Sequence, residues 1–471
     1  MSAEKKRSKS KIVWACIGLI CLLALGFTPP PEGLTARAMW SLGMLACAVA
    51  FWSGNVLPDY VTALLLAMGW IVGTKIPPNL ALGAFASSTN WLLMSALVFA
   101  TALKNTGLVR RLALWLLTVL PATYGSQVLG LMLIGTALGS VIPNGIARLT
   151  VLGPIAIGIG EQSGYAPRSP GMNGLTLGVW GGAGVLACMA FLTGSAPNLA
   201  IFAALPEAVK QQISWLDWLV AAIPLTIFMG LVFYFAIRKI YRTDTVNVSV
   251  EGIRAQLNKL GPMSKQEKYT GIVLLLALLL WMTGNIHKID PAWVALGGAT
   301  VLLLLNIVDR EGFQNGVNWV LLVYIAVIQA IGSVMTYFKL DSWILKSIGP
   351  SLSRIAANPL AFIVLAVILM FIGRFIFVSM ITVGILLILI LGPVAQNAGI
   401  SPFLFALLTC GLSNIWTLPY LNVMYLSLYS STQGNGFTHE QARKLDHVYM
   451  IAGLIGAVLS VPYWKFLGYI K

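Results

Sequence analysis

Two arginines are the residues of this sequence whose chemistry is most out of place. Arg148 lies in GTALGSVIPNGIARLTVLGPIA (135–156), just past an interruption at Pro143-Asn144-Gly145, and Arg374 lies in FIGRFIFVSMIT (371–382). Both stand inside apolar runs. An arginine in the middle of a membrane span costs about 3 kcal/mol or more, so it is kept for a partner. All fifteen acidic residues, from Glu4 to Asp446, fall in loops, linkers or the ends of apolar runs, so no carboxylate is at hand to pair either guanidinium. An anionic ligand fits the vacancy, because the planar fork grips a carboxylate or sulfate through two parallel hydrogen bonds. The same inventory predicts no carboxylate-based proton relay. The alternatives to a ligand role are an arginine that snorkels to the interface and one that bonds carbonyls at a helix end.

Two further interruptions accompany these. One is LTGSAPNLAIF (192–202) and the other LSNIWTLPYLNVMYL (412–426). Unpaired backbone in hydrocarbon costs several kcal/mol per group, so non-helical segments at mid-depth face protein or a water-filled cavity. A helix that resumes there turns its free N–H groups and dipole toward anions, while the opposing carbonyls suit a small cation. A simple kink is the alternative at any one of the four.

The rest of the chain supplies the elements that position these breaks. It is 58% hydrophobic and 10% charged, against about 25% charged in soluble domains. Apolar runs long enough to span a bilayer recur from end to end. The run at 12–27 follows a basic stretch without a small-residue cleavage site, and reads as a first spanning helix rather than a signal peptide. Spans at 12–28, 36–55, 57–74, 90–105, 172–205, 214–237, 269–285, 291–307, 317–337, 402–431 and 447–469 give about eleven crossings. Two interrupted stretches, 126–160 and 359–395, are each either a re-entrant hairpin or a pair of crossings. The charge rule allows both. Basic clusters at 4–11, at Lys104, Arg110 and Arg111, across 238–268, and at Arg443 and Lys444 place the N-terminus in the cytoplasm and the C-terminus outside.

That distribution also explains the net charge of +15 without nucleic acid as a partner. Cys16, Cys21, Cys47, Cys188 and Cys410 have no metal or redox spacing and read as packing residues. His439 and His447 in THEQARKLDH (438–447) read as part of a solvated cytoplasmic loop rather than a metal pair. An integral membrane enzyme would need a nucleophile, metal cluster or paired acids near the membrane plane. The chain is not expected to be an enzyme or to carry a cofactor.

The chain also echoes itself. STNWLLMSALVFATALKNTGLVRRLALWLL (88–117) is faintly repeated in GVNWVLLVYIAVIQAIGSVMTYFKLDSWILKSI (316–348), and each copy is followed by an interrupted stretch and a broken helix. Residues 1–237 and 269–471 thus form two repeats of opposite orientation, joined by a polar linker at 238–268. Paired breaks in inverted repeats point to a secondary transporter with its site at the repeat interface.

LTGSAPNL resembles the Thr-Gly-Thr/Ser-x-Pro-Asn break of the divalent anion/sodium symporter family, NWLLMSALVFATALKNTGLVRRLAL is similar to its fourth spanning helix, and IPNGIAR stands where many members have Pro-Ser-Asn-Thr-Ala-Arg. The resemblance covers most of the chain and implies an all-α elevator carrier, usually a homodimer, for dicarboxylates, citrate, tartrate or sulfate. Carried over position by position, it implies substrate contacts at Asn144, Gly145 and Arg148, at Ser195, Pro197 and Asn198, at Arg374, Ser379 and Thr382, and at Thr417, Pro419 and Asn422. A sodium site is implied at Ser140, Asn144 and Gly194. Here the sequence departs from the pattern: Asn144-Gly145-Ile146 has lost the hydroxyls of the first Ser-Asn-Thr signature, and Ser379-Met380-Ile381-Thr382 the Asn of the second. The expectation is a carrier of small divalent anions in a bacterial inner membrane, working by exchange or weakly sodium-dependent uptake. A strictly sodium-coupled symporter and an anion channel are the alternatives.

Overall fold

In the computed structural model the described residues are 2–243, 250–377 and 379–471. The middle of the basic linker (244–249) and Val378 of the second interrupted stretch lie outside them, as do the side chains of the basic stretch at 4–10. The described residues form helices joined by short turns, with one isolated bridge between Ile400 and Ile470. Among them, 8 helices are long and apolar enough to cross a membrane, and several shorter apolar helices accompany these. The helix Trp215–Ile240 illustrates how they sit. Ile223, Ile227, Leu231 and Phe235, four residues apart, form an exposed apolar stripe, and the other side buries Ala222, Leu225, Met229 and Phe233. Such a stripe suits lipid.

One order of elements occurs twice. A 19-residue helix, Ser88–Thr106, leads to an amphipathic helix, Leu108–Val119, and then to a helix pair, Tyr124–Leu138 and Gly145–Gln162. A broken helix (Pro170 to Ala190, then Ala196–Ala203) and the long Trp215–Ile240 follow. The second occurrence starts with the 19-residue Trp319–Tyr337 and runs through Leu340–Ala356. Its helix pair is Pro359–Ile376 with Met380–Asn397, its broken helix Phe403–Leu412 with Val423–Ser431, and its long helix His439–Phe466.

The last helix corrects the sequence reading. Thr438 and Gln441 form a capping box that starts it at His439, so THEQARKLDH is helical, and Ala442, Leu445 and Asp446 are buried. His439 accepts or donates at Tyr425 Oη, 2.9 Å away, and packs its ring on Tyr429.

Glycine fixes how the first helix pair meets the first broken helix. That broken helix is wholly buried from Gly171 to Ala190 and widens into a π turn over Trp180–Leu186. A Cβ on Gly182 would lie 2.2 Å from the Met132 carbonyl oxygen, and one on Gly135 would lie 2.6 Å from the Ala183 nitrogen. The two backbones touch, as small residues allow in membranes. Gly182→Ala is therefore expected to destabilise the protein by on the order of 3 kcal/mol, read as a lower thermal midpoint in detergent. Gly297→Ala, where nothing lies within 4 Å, is expected to leave the midpoint unchanged or raise it.

Candidate functional site

Each of the four interruptions ends in a side chain that caps the resuming helix. Asn144 Oδ1 accepts from the Ala147 N–H at 3.1 Å, Ser195 Oγ from Asn198 at 3.3 Å, Ser379 Oγ from Thr382 at 3.2 Å, and Asn422 Oδ1 from Tyr425 at 3.1 Å. The caps satisfy the third N–H of each helix and leave the first two pointing along the axis, except where Pro197 has none. All four ends meet. Residues 144–146, 195–197, 379–381 and 422–424 line one cavity of about 410 Å³. Four positive dipole ends thus share one space. Gly145 packs closely at this junction: a Cβ there would fall 2.2 Å from Met424 Sδ of the second broken helix, and that side chain would have to shift.

Both arginines are buried, with exposures of 0% and 1%. Arg148 donates to Ala183 O through Nε (3.2 Å) and Nη2 (2.8 Å), to Gly194 O through Nη2 (2.7 Å), and to Ile142 O through Nη1. Arg374 donates to Ser413 O (2.8 Å), Phe377 O (3.0 Å) and Leu421 O (2.7 Å). Each guanidinium ties a carbonyl in the turn of a helix pair to carbonyls of the neighbouring broken helix. The partners of both guanidiniums therefore include main-chain carbonyls, the helix-end alternative to an anion. Arg374 also lines the central cavity, whereas Arg148 lines a second one.

The remaining predicted residues divide between lining the cavity and shaping it. Asn198 is fully buried and donates to Cys188 O (2.6 Å) and Phe191 O (2.9 Å), closing the first break from within. Asn422 does the same in the second break, toward Asn414 O at 3.2 Å. Ser140 Oγ donates to Ala137 O in its own turn, and Thr382 is buried at 1% exposure. Thr417 and Pro419 are not among the cavity-lining residues. Thr417 Oγ1 instead donates to Asp446 Oδ2, and the Trp416 N–H donates to Asp446 Oδ1 at 3.1 Å. Asp446 has 0% exposure. This corrects the sequence inventory, in which every acid belonged to a loop or to the end of an apolar run. Sequence reasoning also missed Asn55, Asp59 and Asn318, which reach the cavity wall from helix ends outside the four breaks. The Asn318-Trp319 echo of Asn90-Trp91 was the one signal available, and it concerns Asn318 alone.

The sodium:sulfate symporter transmembrane region, as a sequence family, matches residues 9–470. The chain belongs to this family. Its relatives include inner membrane protein YbhI of Escherichia coli, 26% identical over 96% of this chain and 94% of that protein. The putative malate transporter YflS of Bacillus subtilis is 26% identical over 75% of this chain and 76% of its own length. The L-tartrate/succinate antiporter of E. coli is 27% identical over 64% and 62% respectively. Among solved structures, the YdaH transporter of Alcanivorax borkumensis shares the fold, with a TM-score of 0.56 at 14% identity over 98% of this chain and 99% of that one. The family is one of membrane transporters, not enzymes, and this chain is an integral membrane protein.

A family named for sodium invites a test of the oxygens. Around Ser140, Asn144 and Gly194 they are engaged: Ser140 O accepts from Thr193 Oγ1 (2.7 Å), Asn144 Oδ1 caps its helix, and Gly194 O receives Arg148. A cationic group already sits on one of these carbonyls, so a sodium ion there would meet the charge of Arg148. A second cavity of about 840 Å³ leads away from the first, sharing Leu97, Asn144, Ile146 and Gly316 with it and carrying Lys104, Arg110, Asp309 and Glu311 on its wall. Replacing either buried arginine by lysine keeps the charge but exchanges a fork for a point donor, orphaning at least one carbonyl at about 1–3 kcal/mol. Arg148→Lys and Arg374→Lys are both expected to lower the thermal midpoint of the purified transporter, whatever ligand is added.

Proposed function

We propose that this transporter exchanges small divalent anions, di- or tricarboxylates or sulfate, across the bacterial cytoplasmic membrane without sodium coupling. The observation that carries the reading is the convergence of four capped helix N-termini on one cavity of about 410 Å³ beside Arg374. Main-chain N–H groups at dipole ends bind carboxylate or sulfate oxygens without a metal. The names of relatives, a putative malate transporter and a tartrate/succinate antiporter, agree with that ligand class.

The coupling follows from the guanidiniums. Here Arg148 and Arg374 supply fixed positive charge at the carbonyls of both turns, so loading needs no sodium. A relative named a sodium-dependent dicarboxylate transporter, SdcS of Staphylococcus saprophyticus, favours a second reading in which other carbonyls still admit sodium. In the proposed cycle the two helix pairs are re-entrant hairpins (126–160 and 359–395). With the two broken helices (172–205 and 402–431) they form the moving part of an elevator, within inverted repeats at 1–237 and 269–471 and a homodimer. The N-terminus is cytoplasmic and the C-terminus outside, so the cavity lined by Lys104 and Arg110 is the cytoplasmic entrance.

The test is counter-anion-driven uptake into proteoliposomes at clamped membrane potential, with sodium titrated against potassium. Initial rates are expected to be saturable in the anion and to change by less than about twofold across the titration, since no ion-binding term enters the linkage. A steep, saturating requirement for sodium would overturn the exchange reading in favour of the symporter.

A further inference from the structure

The buried carboxylate of Asp446 has no place in the site so far described. It forms no ion pair among the described residues, where the ion pairs are Arg111–Glu267, Lys210–Glu207 and Lys346–Glu32. Its hydrogen-bond partners are neutral: the Trp416 N–H, the Thr417 N–H and the Thr417 hydroxyl. An ionised carboxylate taken out of water without a cation is costly, and ionisable groups retained in that position are the usual stations of proton movement in membrane carriers.

We propose that Asp446 is a proton-binding group linked to the transported anion, taking up a proton as the anion binds and releasing it as the anion leaves. The inference rests on the anion-transport reading but holds for whichever dianion is carried.

Three observations support it. First, the position is behind the binding wall. Asp446 holds Trp416 and Thr417, in the same unwound segment that sends Asn414, Leu421 and Asn422 into the cavity. A negative charge behind that wall opposes a dianion in front of it, and the interaction is strong where water is excluded. Second, both protonation states can be satisfied. With the carboxylate ionised, the Thr417 hydroxyl donates to Oδ2. When a proton from water adds to Oδ2, the O–H formed donates back to Thr417 Oγ1. The Thr417 proton then turns to Met450 Sδ, 3.9 Å from that oxygen. No bond to substrate forms and no electron moves; one proton enters from water and returns to water.

Third, the surrounding charges neither neutralise it nor compete for the proton at bonding distance. Arg443 and His447 flank it on its own helix. Tyr449 is one turn on and carries the influence of Arg374 from the second helix pair. Tyr425 faces it from the second broken helix, with Tyr241 from the end of Trp215–Ile240 beyond. Tyr449 Oη is itself committed as donor to Gly411 O at 2.8 Å and as acceptor from the Asn414 N–H at 3.2 Å. Linkage then requires that the proton and the anion strengthen each other's binding by the same factor.

The experiment uses the full-length transporter in proteoliposomes, with sulfate, L-tartrate and L-malate as probes between about pH 6.5 and 8, where each stays dianionic. For the parent, the KM of the exchanged anion is expected to rise about fivefold or more toward the alkaline end. Addition of that anion to the purified transporter in weakly buffered solution is expected to take up a proton, read as alkalinisation by a pH dye. Asp446→Asn keeps an acceptor for Trp416 and a donor for Thr417, and is expected to flatten the KM profile and abolish the dye signal; Asp446→Glu is expected to restore both. A parent that exchanges the anions with a flat profile and no dye signal overturns the Asp446 assignment alone. That measurement does not depend on a variant folding. A parent that exchanges none of the three probes overturns the anion-transport reading and this inference with it.

Discussion

Everything in this protein depends on how main-chain carbonyls are satisfied where a helix stops inside hydrocarbon. A break frees several carbonyls at once, and lipid offers them nothing. Two solutions are built in. Asn198, in the first turn of one resumed helix, and Asn422, at the cap of the other, fold back to bond carbonyls in or just before their own breaks. Arg148 and Arg374 reach across from the helix pairs and bind the carbonyls those amides leave. With the carbonyl ends bound in this way, the N–H ends are free to face the cavity.

The arginines therefore serve structure and electrostatics together. A guanidinium with every fork position engaged is locked in place, so its charge is a fixed feature of the site rather than a mobile hand that closes on a ligand. Its burial is tolerable because it is solvated by dipoles of the protein itself. The π turn at Trp180–Leu186 contributes to this, since the widened ladder lets Ala183 O accept two bonds from Arg148. Close glycine contacts between that turn and the first helix pair hold donor and acceptors in register.

The interruptions were legible in the sequence because Pro, Gly and Asn in an apolar run leave few alternatives, and the four caps fall at Asn144, Ser195, Ser379 and Asn422 as those interruptions imply. The two arginines were legible as buried charges but not as carbonyl ligands. The one-dimensional pattern shows that no acid is adjacent, yet says nothing of which carbonyls a break will release. Asp446 was misplaced for a related reason. Surrounded in sequence by Arg443, Lys444 and His447, it has the local composition of a loop, and only packing against the unwound segment 413–418 takes it out of water. Asn55, Asp59 and Asn318 sit at helix ends of ordinary polarity, and nothing local separates an end that faces a cavity from one that faces solvent.

The cavity's donors belong mainly to the backbone, and this bears on how such a chain can change over time. The side chains of Ile146, Met380, Val423 and Met424 stand at helix starts whose N–H groups remain wherever those side chains are exchanged. Drift at these positions reshapes the walls and so alters which molecule fits, while the donors stay as long as the capping residues hold the helix ends. Selectivity by shape is therefore easily rewritten in this architecture, whereas the preference for negative charge is a property of the chain path itself.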